Sequence, residues 1–206
     1  MTVDGKIATR DSSMKISGSA DLVRVHRLRK QYDGIMVGIN TVVIDNPKLT
    51  VHKIDACKED NPVRIVVDSN ARTPLDSLVL NDDARTVIVV SSGASGDDIE
   101  KLREKCEVIV CGENHVNLKE ALSKLYDMGI KSILLEGGST LNFSMFKEQL
   151  IDEVSICIGS KILGGTKSKT FVDGKGFNIN ECVKLELKKI EKIDENDVVL
   201  TYTTSY

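Results

Sequence analysis

The chain is 206 residues long, which at roughly 100–200 residues per domain predicts one domain over residues 1–206. With 28 Lys and Arg against 31 Asp and Glu, the formal charge of -3 gives no global attraction for nucleic acid or an anionic membrane surface. Hydrophobic residues make up 41%, which excludes overall disorder, and no apolar run reaches the roughly 18 residues of a membrane span.

The N-terminal sequence MTVDGKIATRDSS lacks the apolar stretch of a secretory signal, so we expect a cytoplasmic protein. The 5 cysteines are scattered without a C-x-x-C pair, and the 3 histidines are well separated. This spacing predicts neither a disulfide framework nor a metal site.

Short runs rich in Val and Ile alternate with amphipathic stretches along the chain, and turn-forming residues bound each run. The predicted strands are 34–39, 63–68, 86–91, 107–111, 132–136 and 153–159. The predicted helices are 20–31, 97–105, 118–128 and 141–147. This alternation predicts an α/β fold with helices on both faces of a sheet.

The C-terminal segment has a different period. Val183, Leu185 and Leu187 alternate with charged residues, and the polar stretch 194–197 separates them from a second apolar run at 198–202. This pattern predicts an antiparallel hairpin, so we expect a mixed, mostly parallel sheet.

The segment L-L-E-G-G-S-T-L at 134–141 is the sharpest chemical signal. A buried strand ends in Glu136, two glycines follow, and a Ser/Thr pair opens a helix. Glycines allow close backbone approach, and the first helical amides can bind phosphate. The alternative is an ordinary strand-to-helix turn, with Ser139 or Thr140 as the cap.

A second cluster follows the strand at 34–39. Thr41 and Asp45 are four residues apart, so a helical turn at 40–44 would put both on one face. The alternative is that residues 45–47 form a simple turn. Because ligands of α/β sheets bind beyond the carboxyl ends of strands, both clusters lie where a ligand is expected.

A basic run surrounds His26 and includes Arg29, which could contact a phosphate through two hydrogen bonds or could belong to a solvated helix face. The run V-D-S-N-A-R at 67–72 closes another strand and is also typical of a plain turn. Nothing in the sequence indicates a nucleophile–base pair. Phosphate-binding turns without acid–base groups favour hydride transfer from a cofactor.

Six blocks in fixed order carry a resemblance to a known family. They are T-V-D-G-K-I-A-T (2–9), V-H-R-L-R (25–29), D-G-I-M-V-G-I-N-T-V-V-I-D-N-P-K-L-T-V-H (33–52), P-V-R-I-V-V-D-S (62–69), L-L-E-G-G-S-T-L-N (134–142) and L-I-D-E-V-S-I-C-I-G-S-K-I-L-G-G (150–165). The chain resembles the archaeal-type 2,5-diamino-6-ribosylamino-4(3H)-pyrimidinone 5′-phosphate reductases of riboflavin biosynthesis. These are similar to the reductase domain of the bacterial bifunctional deaminase–reductase.

The resemblance implies a dihydrofolate-reductase-like fold, a homodimer, and NADPH as cofactor, with NADH as the alternative. It implies reduction of the substrate's ribosyl group to a ribityl chain by hydride transfer to C1′. The implied cofactor-binding residues are Thr41, Asp45, Val67, Asp68, Ser69, Asn70, Gly137, Gly138, Ser139 and Thr140. The implied substrate-binding residues are Ser13, Arg29, Leu49, His52 and Glu136, with Arg29 on the 5′-phosphate.

The chain departs from this family at its start, since family members have a further, central strand before the T-x-D-G motif. Either the sequence begins at an internal methionine, or the sheet lacks a strand. Two rival functions remain: reduction of a pterin or folate on the same fold, and a non-catalytic nucleotide-binding module. The lack of tryptophan and the phosphate contact expected of Arg29 argue against the first.

Overall fold

The computed structural model describes residues 1–8 and 16–206. It contains two compact units: unit 1 comprises Met1–Val25 and Ser139–Tyr206, and unit 2 comprises His26–Gly138. The single domain over 1–206 stays a prediction. In the described ranges, no helix is both long and apolar enough to cross a membrane.

Unit 2 is built on a five-stranded parallel sheet with the order β4-β3-β2-β1-β5. Its strands are β1 (Gly34–Gly38), β2 (Val63–Val67), β3 (Thr86–Val90), β4 (Glu107–Val110) and β5 (Ile133–Leu135). The inner strands are mostly apolar rather than alternating, with the fully buried Arg64 inside β2, and all five residues of β3 are buried. Such runs are typical of parallel strands that are covered on both faces.

Five α-helices are present in the described residues: α1 (Ser19–Gln31), α2 (Ile39–Asp45), α3 (Gly96–Arg103), α4 (Leu118–Asp127) and α5 (Ser139–Lys147). Side-chain caps fix two of their starts. The Ser95 hydroxyl accepts from the Asp98 amide, and the Asn117 side chain accepts from the Glu120 amide. The strand predicted to reach Ile39 ends at Gly38, because Ile39 already belongs to α2.

Unit 1 contains a three-stranded antiparallel sheet with the order β6-β8-β7. Its strands are β6 (Glu153–Ile158), β7 (Lys184–Lys192) and β8 (Val198–Ser205). The predicted hairpin of β7 and β8 is confirmed. It pairs with β6 in a sheet of its own, whereas the sequence pattern suggested one mixed sheet.

Strand β7 also runs further than its alternating pattern, because a bulge interrupts it. The register shifts between Leu187 and Lys189, so that Leu187 lies opposite Tyr202 and Ile190 lies opposite Leu200. The extra residue returns Ile190 to the face of Leu187 despite the odd spacing. Simple alternation in the sequence therefore ends four residues before the strand does.

Candidate active site

Three strands of unit 2 end side by side at one edge of the sheet. Gly38 of β1 lies opposite Val67 of β2, and Met36 of β1 lies opposite Leu135 of β5. The Gly38 amide donates to the Gly137 carbonyl at 2.8 Å, which ties the segment after β5 to the end of β1. The carboxyl ends of the strands lie at this edge, and α/β sheets bind ligands there.

The second of the two glycines after Glu136, Gly138, leaves open space beside the backbone at this edge. Gly137 has a φ of 96°, a left-handed conformation that favours glycine, and the Gly137–Gly138 peptide bond is cis. A Cβ added to Gly138 would meet one neighbour within 4 Å among the described residues, the Thr41 hydroxyl at 3.5 Å. The geometry therefore brings Thr41 next to Gly138 and permits a ligand to approach the backbone closely.

Helix α2 confirms the helical turn expected after β1. Thr41 is its third residue and Asp45 its last, so the two share a face. Asp45 is exposed, and its side chain makes no hydrogen bond or ion pair with another described residue. Asn46 ends the helix in a left-handed conformation with φ 40°. Both polar side chains are thus available on one side of a short helix.

The loop after β2 is held together by its own polar groups. Asp68 is fully buried, and its Oδ2 accepts from the Thr73 amide at 2.7 Å and the Thr73 hydroxyl at 2.8 Å. Asp68 Oδ1 is buried and has no hydrogen-bond partner in the described part of the chain, although the Arg72 Nε lies 4.0 Å away. The Ser69 hydroxyl accepts from the Val116 amide at 3.1 Å. Asp68 and Ser69 therefore shape this loop.

The other two residues expected at this loop differ in exposure. Val67 is the last residue of β2 and is half-buried, while Asn70 is exposed. Asn70 is therefore the more accessible of the two to a ligand.

Arg29 and Glu136 form a bidentate ion pair. Arg29 Nε donates to Glu136 Oε1 at 2.7 Å, and Arg29 Nη2 donates to Glu136 Oε2 at 2.7 Å. Their side chains are only 13% and 21% exposed. Arg29 Nη1 also donates to the Thr50 carbonyl at 3.0 Å. A guanidinium has five N–H donors, so one on Nη1 and one on Nη2 have no acceptor among the described residues and could bind a further one.

The segment 49–52, here called the strap, accepts that contact from Arg29. Leu49 has a φ of 52°, an unusual conformation for a branched side chain, and its side chain lies in the buried core cluster of unit 2. The Val51 amide donates to Asn61 Oδ1 at 2.7 Å, and the His52 amide donates to His26 Nδ1 at 3.1 Å. Arg29, Asn61 and His26 therefore all hold the main chain of the strap in place.

Burial lowers the pKa of His26 to about 4, and the neighbouring Arg29 and His52 act in the same direction. Burial also lowers the pKa of His52, and Lys53 contributes to that shift. Both imidazoles are therefore neutral at neutral pH, and the guanidinium of Arg29 is the cation that the strap contacts directly.

Three of the predicted residues do not belong to the described part of unit 2. Ser139 and Thr140 open α5 in unit 1, where the Ser139 hydroxyl donates to Asp173 Oδ2 at 2.9 Å and Thr140 is exposed. Ser13 lies outside the described residues.

Thr50 and Asn61 also contribute contacts near the site, and neither could be assigned a role from the sequence. No local pattern marks them, since their contacts join segments that are distant in sequence.

Comparison with known proteins gives the chain a family. A family model described as the RibD C-terminal domain matches residues 1–200. The 2,5-diamino-6-ribosylamino-4(3H)-pyrimidinone 5′-phosphate reductase of Methanothermobacter thermautotrophicus is 52% identical over 204 residues, covering 98% of this chain and 94% of that protein. The protein of the same name from Archaeoglobus fulgidus is 39% identical over 206 residues, covering 96% of this chain and 92% of that one.

A solved structure supports the fold. The pyrimidine reductase-like protein of Corynebacterium diphtheriae superposes with a TM-score of 0.82 at 18% identity, covering 100% of this chain and 89% of that chain. The expected dihydrofolate-reductase-like class, with a parallel sheet, helices and an antiparallel hairpin, is confirmed. The chain belongs to the RibD C-terminal domain family, the reductases of riboflavin biosynthesis.

Proposed function

We propose that the chain catalyses the NADPH-dependent reduction of 2,5-diamino-6-ribosylamino-4(3H)-pyrimidinone 5′-phosphate to its ribitylamino product. It would be an oxidoreductase of the NAD(P)H-dependent 1.1.1 class. The observation that carries the proposal is the juxtaposition at the carboxyl ends of β1 and β5. Arg29 and Glu136 pair there, and the open glycine backbone beside Thr41 follows Glu136 directly.

The cofactor half of the proposal rests on the open space at Gly138. Because Gly138 has no side chain, a dinucleotide could approach its backbone closely, next to the Thr41 hydroxyl. At the neighbouring loop, the fully buried Asp68 would act by holding the main chain in shape through its hydrogen bonds to Thr73. The proposed cofactor-binding residues are Thr41, Asp45, Val67, Asp68, Ser69, Asn70, Gly137, Gly138, Ser139 and Thr140.

NADPH, or NADH in its place, would supply the hydride that reduces C1′. The residues of this chain would hold the sugar in position for that transfer. The free N–H donors on Nη1 and Nη2 of Arg29 suit the oxygens of a 5′-phosphate. Glu136 keeps both carboxylate oxygens on Arg29, so the pair is net neutral and the phosphate contact would rest on the two remaining N–H donors. Ser13, Leu49 and His52 complete the proposed substrate side.

The direct test is turnover by the purified protein. NADPH should be oxidised when the ribosylaminopyrimidine phosphate is added, with formation of the ribitylamino product. Turnover of dihydrofolate instead would indicate a pterin or folate reductase. Tight NADPH binding without oxidation by either substrate would indicate a nucleotide-binding module.

A matched pair of variants tests the role of Arg29. Arg29→Ala should raise the KM for the phosphorylated substrate and leave the KM for NADPH nearly unchanged. Arg85→Ala is the control, because Arg85 forms the same kind of bidentate pair with Glu107 at an exposed position. Equal KM values for the substrate in both variants would contradict the proposed phosphate contact.

The proposal includes a homodimer in the cytoplasm, with the small phosphorylated pyrimidine as the partner ligand. Light scattering on the purified protein should give twice the chain mass. A monomer that retains full activity would refute the dimer without affecting the proposed reaction.

A further inference from the structure

One face of α1 presents both His26 and Arg29. The two residues are three positions apart, which puts their side chains on the same side of a helix. Both reach the strap: Arg29 Nη1 donates to the Thr50 carbonyl at 3.0 Å, and His26 Nδ1 accepts from the His52 amide at 3.1 Å. The strap is thus held to α1 at two points, two residues apart.

The contact with His52 fixes the chemical state of His26. Because Nδ1 accepts a main-chain hydrogen bond, the ring must be neutral, with its proton on Nε2. The side chain is 2% exposed, and its ring meets the His52 ring edge-on with centroids 4.4 Å apart. A protonated ring would turn the Nδ1 acceptor into a donor that faces another donor.

We propose that His26 is a positioning residue, which fixes the His52 main chain so that the Thr50 carbonyl orients the Arg29 guanidinium toward a substrate phosphate. The inference rests on the proposed function, since it assigns the guanidinium a phosphate ligand. His26 itself touches neither substrate nor cofactor. His26 acts on the orientation of Arg29 through the main chain of the strap.

The charges around His26 favour this role. The charged or titratable groups that act on it are Arg29 on α1 and His52 and Lys53 on the strap side, and each opposes a positive charge on the imidazole. His26 Nδ1 therefore keeps accepting the hydrogen bond from the His52 amide across the physiological pH range. Of the two α1 residues that contact the strap, Arg29 is the charged one and His26 the neutral one.

Three variants test the kinetic consequence. His26→Ala should raise the KM for the phosphorylated substrate about tenfold, as expected for the loss of one buried hydrogen bond, with kcat and the KM for NADPH within about twofold. His26→Asn should restore most of the affinity, because its side-chain oxygen can accept in place of Nδ1. His115→Ala is the matched control at an exposed histidine. A general loss of kcat, or no recovery in His26→Asn, would overturn the proposal.

A second readout does not depend on the reaction. In NMR hydrogen exchange, His26→Ala should speed exchange of both the His52 amide and the Arg29 Nη1 protons at least about tenfold, since the amide loses its acceptor and Nη1 loses the fixed Thr50 carbonyl. His26→Asn should retain protection at both positions. If the His52 amide loses protection while the Arg29 Nη1 protons do not, His26 does not act on Arg29 and the proposal fails. If both respond but the wild-type protein does not bind ribose 5-phosphate, the proposed function fails and the coupling within the strap stands.

Discussion

The ion pair between Arg29 and Glu136 should contribute substantially to the free energy of unfolding. Each of its two charge-assisted hydrogen bonds is 2.7 Å long. Such bonds contribute about 1.5–3 kcal/mol when buried, whereas exposed ion pairs contribute about 0.2–1 kcal/mol. With side chains 13% and 21% exposed, part of the attraction is offset by desolvation and screening. We expect a coupling free energy of about 2 kcal/mol.

A double-mutant cycle measures this coupling. The variants are Arg29→Ala, Glu136→Ala and the double variant, with the free energy of unfolding determined by urea titration. Arg29→Ala also removes the donor to the Thr50 carbonyl. That loss occurs in the single and in the double variant, so it cancels in the cycle.

The pair of Arg85 and Glu107 is the internal control. It has the same bidentate geometry, with distances of 2.6 and 3.0 Å, but its side chains are 43% and 50% exposed. Its coupling should stay below about 1 kcal/mol. Equal couplings in the two cycles would refute the argument that burial strengthens the Arg29 pair.

Three further predictions concern the cofactor and pH. Gly138→Ala should leave the melting temperature within a few degrees, since among the described residues its Cβ meets only Thr41, at ordinary contact distance, yet weaken NADPH binding at least about tenfold by calorimetry; unchanged affinity would contradict the proposed backbone approach. Thr41→Ala and Asp45→Ala should each weaken NADPH binding by about 1–3 kcal/mol, and unchanged affinity in both would contradict their assignment. The free energy of unfolding should fall as pH drops from about 6.5 toward 4, by up to about 3 kcal/mol, because the unfolded chain protonates His26 before the folded chain does. The His26→Asn variant should lose this part of the pH dependence, and an unchanged slope would refute the assignment.

Much of the fold follows from local patterns in the sequence. Continuous Val and Ile runs predict buried parallel strands, and the five strands of unit 2 lie within a residue or two of the predicted ranges. The sheet pairing of β6 was not predictable, because an apolar run carries no information about its partner. The bulge in β7 was missed for a related reason: Lys188 and Lys189 break the alternation that marks a strand.

The sequence indicates candidate positions for the site but not the contacts between them. Strand ends followed by Gly, Thr or Glu indicate where a ligand could bind, and in the structure Thr41 lies beside Gly138. The pairing of Arg29 with Glu136 spans 107 residues of sequence, so no local spacing reveals it. The strap depends on similar long-range contacts. Asn61 and His26 hold its main chain, but nothing in the sequence distinguishes Asn61 from an ordinary loop residue or His26 from an ordinary helix residue.

Isotope transfer tests the central claim most directly. The protein is incubated with the ribosylaminopyrimidine phosphate and NADPH that carries deuterium at the transferable position of the nicotinamide, each diastereomer in turn. One diastereomer should deliver deuterium to C1′ of the ribityl product, as detected by NMR and mass spectrometry. A reduced product without deuterium at C1′ from either diastereomer, or the absence of reduction, would contradict direct hydride transfer to the sugar carbon.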